Sequence, residues 1–125
     1  MKSKFGYVGI RVTDIQRSIQ FYSELLGMKV IGRSSIEQTK GETVALQCER
    51  GGPVLELNYY DKDSPYNTRY SSGESLDHLA FKVDDLDRAI EDAGKAGHPT
   101  VLEMNDKSGR WAYIHDPDGI WIELY

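Results

Sequence analysis

Cysteine is almost absent from this chain, and so are the long apolar segments that mark secreted or membrane proteins. Its 125 residues contain one cysteine, Cys48, so no disulfide can form within the chain. The first residues, MKSKFGYVGI, lack the apolar core of a signal peptide, and no apolar run approaches the roughly 20 residues of a membrane-spanning helix. We therefore expect a cytoplasmic, single-domain protein without a membrane partner.

Positive charge is also scarce. Lys and Arg number 15 against 20 Asp and Glu, which gives a net charge of -5 and no run of basic residues. Proteins that bind nucleic acids usually carry a basic patch that neutralises phosphates, so we expect no nucleic-acid partner. A small molecule is the expected ligand.

What the chain does contain is an internal repeat. The stretch YVGIRVTDIQRSI at 7–19 aligns without a gap with HLAFKVDDLDRAI at 78–90. A second stretch, VALQCERGGPVLEL at 44–57, aligns with WAYIHDPDGIWIEL at 111–124. Two collinear matches that cover most of the chain predict two half-chain modules.

Each half has the same predicted order of secondary structure. The alternation at 7–12 predicts a strand, and Thr13 to Gln16 has the capping-box pattern of a helix that ends at Gly27. Three strands should follow, at 30–35, 43–48 and 54–59. In the second half the helix is expected from about Asp85 to Ala96.

These elements predict an α+β fold of two tandem βαβββ modules that form a curved, cleft-lining mixed β-sheet. The whole of 1–125 is one domain, with module 1 at 5–60 and module 2 at 76–125. The segment from Tyr60 to Ser75, rich in polar residues and glycine, is predicted to link the modules and is a candidate for a mobile lid.

The duplication makes the polar strand residues informative, because a pseudo-two-fold axis brings equivalent positions together. The first strands contribute Tyr7 and His78 to this centre, and the last strands contribute Glu56 and Glu123. A single strand His or Glu is more often a solvated surface residue. One imidazole and two carboxylates at equivalent places, however, suit a divalent metal ion.

Other conspicuous residues are assigned structural roles. His98 and His115 lie near turns, without partners that the sequence identifies. The sequence HDPDG at 115–119 is typical of a turn. Three aromatic residues are expected in the core or a pocket wall: Trp111, Tyr113 and Trp121.

Several of these stretches resemble the vicinal oxygen chelate superfamily and, within it, glyoxalase I (lactoylglutathione lyase) of the short bacterial type. They are RVTDIQRSIQFYSELLGMKV, LEL, DHLAFKVDDLD and DPDGIWIELY, and the resemblance covers nearly the whole chain. In such glyoxalases the metal ligands are, in chain order, a His or Gln, a Glu, a His and a Glu. The resemblance implies ligation by Glu56, His78 and Glu123, with Tyr7 in place of the first ligand.

The resemblance also implies a reaction, which is that of a lactoylglutathione lyase-like metalloenzyme using nickel, cobalt, zinc or manganese. Its substrate would be the hemithioacetal of a thiol with methylglyoxal or a related 2-oxoaldehyde. The metal would acidify a C–H bond next to a carbonyl, and Glu123 or Glu56 would move the proton through a metal-bound enediolate. Members of the family are commonly homodimers, so we expect a homodimer here.

The substrate-binding residues implied by the resemblance are Arg11, Tyr7 and Tyr60. Arg11 lies at a position that contacts glutathione in the family. Tyr60 replaces an Asn of several glyoxalases, and Glu74 replaces an Arg that meets a carboxylate of the thiol peptide in some of them. These departures leave the identity of the thiol open.

Two alternatives remain open at this point. One is a metal-free binding module similar to the bleomycin-resistance proteins, which Tyr7 and the tyrosines around the linker favour. The other is a coenzyme A thioester epimerase, which would need a cationic phosphate site that the scattered Lys and Arg residues do not reveal. Ring-cleaving dioxygenases and fosfomycin thiol transferases are disfavoured, since they take their first His from the position of Tyr7.

Overall fold

The computed structural model describes residues 1–2, 6–71, 74, 76, 78–107 and 109–125. The chain divides into two compact units, Met1–Arg69 and Tyr70–Tyr125, which contain the predicted modules and are called module 1 and module 2 from here on. Part of the predicted start of module 1 and part of the predicted linker lie outside the described residues: Phe5, Ser72, Gly73 and Ser75.

Both modules have the predicted βαβββ order, which confirms the α+β fold class. Module 1 comprises β1 (Val8–Arg11), α1 (Ile15–Gln20), a π-helical turn (Phe21–Leu25), β2 (Lys29–Ile36), a 3-10 turn (Glu37–Thr39), β3 (Gly41–Gln47) and β4 (Val54–Tyr60). Module 2 comprises β5 (Leu79–Phe81), α2 (Leu86–Lys95), β6 (Leu102–Asp106), β7 (Gly109–His115) and β8 (Trp121–Leu124).

Each module builds one mixed four-stranded sheet. The strand order is β1-β4-β3-β2 in module 1 and β5-β8-β7-β6 in module 2. The first and last strands of each module pair in parallel, and the remaining neighbours pair antiparallel. The glutamates of the predicted site therefore lie on the second strand of each sheet, one position from its edge.

The helices begin at equivalent aspartates. The Asp14 carboxylate accepts a hydrogen bond from the Arg17 backbone N–H at 3.0 Å, and Asp85 does the same with Arg88 at 3.0 Å. The predicted capping box beginning at Thr13 was therefore wrong by one residue, because Asp14 keeps an extended backbone and supplies the cap itself.

The first helix also differs from the prediction in its last turns. It was expected to run unbroken to Gly27, but α1 ends at Gln20 and continues as the π-helical turn. The wider turn is closed by Leu26, whose N–H donates to the Phe21 carbonyl at 3.4 Å. Gly27 then reverses the chain with a φ of 70°, a conformation that favours glycine.

Alternation along the last strands separates a core face from a site face. Leu55 and Leu57 of β4 are buried, as are Ile122 and Leu124 of β8. The glutamates between these pairs face the other side of each sheet. None of the helices in the described part of the chain has the length and apolar character that spanning a bilayer requires.

The strand register corrects the sequence alignment of the two modules. In module 1, Ala45 of β3 lies opposite Glu56, whereas in module 2 Tyr113 of β7 lies opposite Glu123. The connection 48–53 is one residue longer than the connection 116–120, and Cys48 opens it. The alignment of 44–57 with 111–124 is thus correct for the last strands and wrong by one residue for the strands before them.

The first part of the predicted linker is held against module 1. The Asp61 N–H donates to the Lys40 carbonyl at 2.9 Å, and Ser64 Oγ donates to the Thr39 carbonyl at 2.6 Å. Lys40 Nζ and Asp63 Oδ2 form an ion pair at 2.5 Å. This hydrogen bond raises the pKa of Lys40 and lowers the pKa of Asp63.

Candidate active site

His78 and Glu123 meet on the site face of module 2. His78 immediately precedes β5, and its Nε2 lies 3.2 Å from Glu123 Oε2 on the parallel neighbour β8. The side chains are 33% and 19% exposed, so both are accessible to a ligand. The structure therefore brings together two of the three predicted metal ligands.

Tyr113, which was predicted to lie only in the core or a pocket wall, is a third member of this cluster. Its hydroxyl donates to Glu123 Oε2 at 2.7 Å. Its ring meets the His78 ring edge-on, with centroids 5.7 Å apart, and the Trp121 ring at 5.5 Å. The available signal was strand register, because Tyr113 is the β7 residue directly opposite Glu123.

The equivalent positions of module 1 are more open. Tyr7 immediately precedes β1, as His78 precedes β5, and its side chain is 56% exposed. Glu56 lies opposite Gly9 on β1 and Ala45 on β3. The described residues show no hydrogen bond or ion pair that joins the Tyr7 and Glu56 side chains.

A cleft of about 230 Å³ lies at the carboxyl ends of β1 and β4 in module 1. The predicted substrate-binding residues Arg11 and Tyr60 both line it, and Lys62 adds a second cation. Its other lining residues are Val12, Thr13, Tyr59, Asn67 and Thr68. Cations beside hydroxyl and amide groups suit a ligand that carries a carboxylate.

The segment after β4 forms one wall of this cleft. Asn67 Nδ2 donates to the Tyr60 carbonyl at 2.9 Å, which folds the segment back on the strand. The Tyr60 and Tyr66 rings lie 5.8 Å apart in a tilted arrangement. The cleft is therefore a built feature of module 1.

The remaining histidines have the structural roles that the sequence indicated. His98 Nδ1 lies 3.0 Å from the His115 carbonyl oxygen, and the His115 ring packs edge-on against Trp121. In the turn that follows, Asp116 Oδ1 accepts hydrogen bonds from the backbone N–H groups of Asp118 and Ile120.

Comparison with known proteins decides the family. The model of the Glyoxalase/Bleomycin resistance protein/Dioxygenase superfamily matches residues 4–124. The chain belongs to this superfamily. The resemblance drawn from the sequence motifs is thereby confirmed, and the fold of two βαβββ modules is that of the superfamily's glyoxalase members.

Relatives within the superfamily include lactoylglutathione lyases. The chain is 29% identical to lactoylglutathione lyase of Pseudomonas aeruginosa, with 96% of this chain and 80% of the relative covered. It is 34% identical to the lactoylglutathione lyase of Escherichia coli O157:H7, covering 92% and 86%. The trypanothione-dependent glyoxalase I of Leishmania major superposes with a TM-score of 0.82 at 36% identity, covering 98% of this chain and 86% of that one.

Proposed function

We propose that this chain is a metal-dependent lyase of the glyoxalase I type, which isomerises the hemithioacetal of a thiol and a 2-oxoaldehyde such as methylglyoxal. Similarity to lactoylglutathione lyases over nearly the whole chain carries this proposal and supports glyoxalase I-like function. The His78–Glu123 pair supports it independently, because it presents an imidazole and a carboxylate together on an accessible face.

The donor set fits a divalent metal. Glu56, His78 and Glu123 would hold it, and oxygen and nitrogen donors of this kind accept nickel, cobalt, zinc or manganese. In the part of the chain that the structure describes, no three His, Cys, Asp or Glu side chains are grouped to hold a metal, so the proposal rests on the chemistry of the three donors and on the His78–Glu123 pair. When bound, the metal would supply the Lewis acidity that makes a C–H bond next to a carbonyl acidic.

The protein's own groups would bind the substrate and move one proton. Arg11 and Lys62 would hold a carboxylate of the thiol in the cleft, with Tyr60 against its chain. Tyr7, which is exposed and precedes β1, is kept as a proposed substrate contact outside this cleft. Glu56 or Glu123 would take a proton from one substrate carbon and return it to the next. The reaction is an isomerisation, so no further reactant is needed.

A metal-free binding protein is the second candidate function. The exposed phenol of Tyr7 stands where glyoxalases of this type have an imidazole or amide ligand, and a neutral phenol is a poor metal ligand. Tyrosines also line the cleft of module 1. Both features would serve a protein that only sequesters an aromatic ligand.

Metal titration and turnover together test the two candidates. Apo protein is titrated with nickel by calorimetry, and the loaded protein is assayed with methylglyoxal and a panel of thiols for thioester formation. The lyase proposal expects close to one metal per chain and thiol-dependent turnover. Binding of less than a tenth of an equivalent of metal would contradict the lyase proposal and favour the metal-free binding protein. Metal binding without turnover would contradict the proposal that a hemithioacetal is the substrate.

We further propose a homodimer and retain the cytoplasmic location as a prediction. Apolar side chains are exposed on the outer strand of each sheet, where a second copy would cover them: Val30, Ile31 and Ile36 on β2, and Leu102 and Met104 on β6. Sedimentation velocity should give twice the chain mass of 14.2 kDa. A monomer at micromolar concentration would contradict the dimer.

A further inference from the structure

A short segment after β4 supplies much of the lining of the cleft in module 1. Residues 61–68, called the strap from here on, contribute Lys62, Asn67 and Thr68 to the cleft wall. Arg11, at the end of β1, lines the same cleft, and none of the described residues that line it is acidic. Two cations without an acid beside them favour an anionic ligand, although the chain as a whole carries a net charge of -5.

The volume of the cleft limits what it can hold. It is about 230 Å³, which is below the roughly 300–1,000 Å³ of sites that enclose a whole drug-sized ligand. The cleft therefore suits one charged end of a longer molecule, such as the carboxylate end of a thiol peptide.

Ser64 fastens the strap to the rest of module 1. It is 7% exposed, and among the residues of the strap, all of which the structure describes, it alone is buried. Its hydroxyl donates to the Thr39 carbonyl at 2.6 Å and accepts from the Tyr66 N–H at 3.2 Å. Its own N–H donates to the Asp61 carbonyl at 2.9 Å, and its carbonyl accepts from the Asn67 N–H at 3.1 Å. These hydrogen bonds meet at a residue that does not itself line the cleft.

The strap is fastened to the turn that precedes β3. The carbonyls of Thr39 and Lys40 both accept from the strap, the second of them from the Asp61 N–H at 2.9 Å. Successive carbonyls of an extended strand point to opposite sides, so this pairing needs a break in the strand, and Lys40 provides it with a left-handed φ of 50°. A Cβ at the next residue, Gly41, would lie 2.9 Å from Cδ1 of Tyr60, so the turn is packed closely against the end of β4.

We propose that Lys62 binds an anionic group of the thiol and that Ser64 is the positioning residue that holds Lys62 at the cleft. This inference rests on the proposed function, from which the thiol is taken. Lys62 is exposed and has a flexible side chain, so its contribution to affinity depends on a backbone that is already fixed when the ligand arrives. Without the Ser64 hydroxyl the strap would be ordered only on binding, and that ordering would weaken affinity.

Hydrogen exchange tests the fastening of the strap without any ligand. Ser64→Ala removes the hydroxyl, and the backbone amides of 61–68 should exchange about tenfold faster because the strap opens more often. Amides of β3 and β4 should keep the wild-type rates. Ser18→Ala is the matched control, since the Ser18 hydroxyl is also buried but has no hydrogen-bond partner among the described residues. Thermal unfolding of both variants checks that the fold is kept.

Binding of S-methylglutathione tests whether Ser64 acts through Lys62. This probe has the carboxylates of a thiol peptide but no free thiol, and it is titrated by calorimetry into the nickel-loaded chain. Lys62→Met should weaken binding about tenfold, because a charged partner of the carboxylate is lost. Ser64→Ala should weaken it by nearly as much, and Ser18→Ala should leave it unchanged. The double variant of Lys62→Met and Ser64→Ala should also lose about tenfold, rather than the roughly hundredfold expected of two independent losses.

Each part of the inference has a result that would overturn it. Exchange of 61–68 in Ser64→Ala as slow as in Ser18→Ala would overturn the fastening of the strap by Ser64. A loss of about a hundredfold in the double variant would show that Ser64 does not act through Lys62. Wild-type affinity in Lys62→Met, or a wild type that does not bind the probe, would overturn Lys62 as a contact of the thiol. Probe binding without turnover of a hemithioacetal would contradict the proposed function, while the variants would still support the roles of Lys62 and Ser64.

Discussion

Module 1 and module 2 share their backbone plan and their buried face, yet they surround equivalent glutamates differently. The rows are Gly9–Glu56–Ala45–Gly32 in module 1 and Ala80–Glu123–Tyr113–Leu102 in module 2. Leucine and isoleucine fill the core side of β4 and β8 alike. A duplicated fold thus keeps the face that packs on its helix, while the opposite face is free to acquire separate roles.

The strongest test of the shared core is a matched pair of truncations. Leu57→Ala and Leu124→Ala each remove a side chain with 0% and 2% exposure, respectively. Each should lower the free energy of unfolding by about 2–5 kcal/mol, because a buried cavity is left behind. Urea denaturation measures both. A large loss in one variant and none in the other would contradict the equivalence of the two cores.

The next test asks whether the difference between Tyr7 and His78 matters at the metal. Tyr7→His gives module 1 the imidazole that module 2 has and should tighten nickel binding about tenfold, or roughly 1.4 kcal/mol. Tyr7→Phe is the control and should leave affinity near that of the wild type. Calorimetric titration of the apo proteins measures both, and equal affinity in all three would mean that residue 7 lies away from the metal.

A smaller effect is expected at the helix caps. Asp14→Ala and Asp85→Ala each remove a carboxylate that accepts a backbone N–H at 3.0 Å. Each should cost about 1 kcal/mol of stability in urea denaturation. Asn at either position keeps the acceptor and should recover most of the loss. A loss in Asp14→Asn as large as in Asp14→Ala would show that the cap acts through charge.

The smallest effect concerns the ion pair between Lys40 and Asp63 in module 1. Asp63→Asn breaks the ion pair with Lys40, which is exposed and therefore weakly stabilising. Since the pKa of Asp63 is lowered from 3.8, the wild type keeps this stabilisation above that pH and loses it as the pH falls through the lowered value. The two proteins should differ slightly in stability at pH 7 and converge in acid, as thermal scans across pH would show.

The sequence predicted the architecture well, because the alternation of apolar and polar residues and the internal repeat can both be identified in the sequence. Helix α2 and the four strands of module 1, for which bounds were predicted, lie within about two residues of those bounds at each end. The π-helical turn after Gln20 was not predictable, since its apolar stripe is equally compatible with an α-helix. The cap at Asp14 was missed because Thr13, next to it, is an equally good cap by type.

The site was predicted in part. Equivalence within the repeat identified His78 and Glu123, which the structure brings together. Tyr113 was missed because a sequence alignment does not show which residues of neighbouring strands lie opposite each other. The extra residue in the connection 48–53 shifts β3 by one position relative to β7 in the alignment of the two modules. Matching the buried pair Val44 and Leu46 to Ala112 and Ile114 would have revealed the shift.

Cys48, the residue that opens the longer connection, has a practical consequence. It is the only cysteine of the chain and its side chain is exposed, so a nitroxide or a fluorophore can be attached at one defined place without prior mutagenesis. With a single label on each copy, any dipolar coupling or energy transfer between labels must come from a second molecule. The distance between two labels at Cys48 would therefore report how two copies of the chain are arranged, in solution and at the protein concentrations of an enzyme assay.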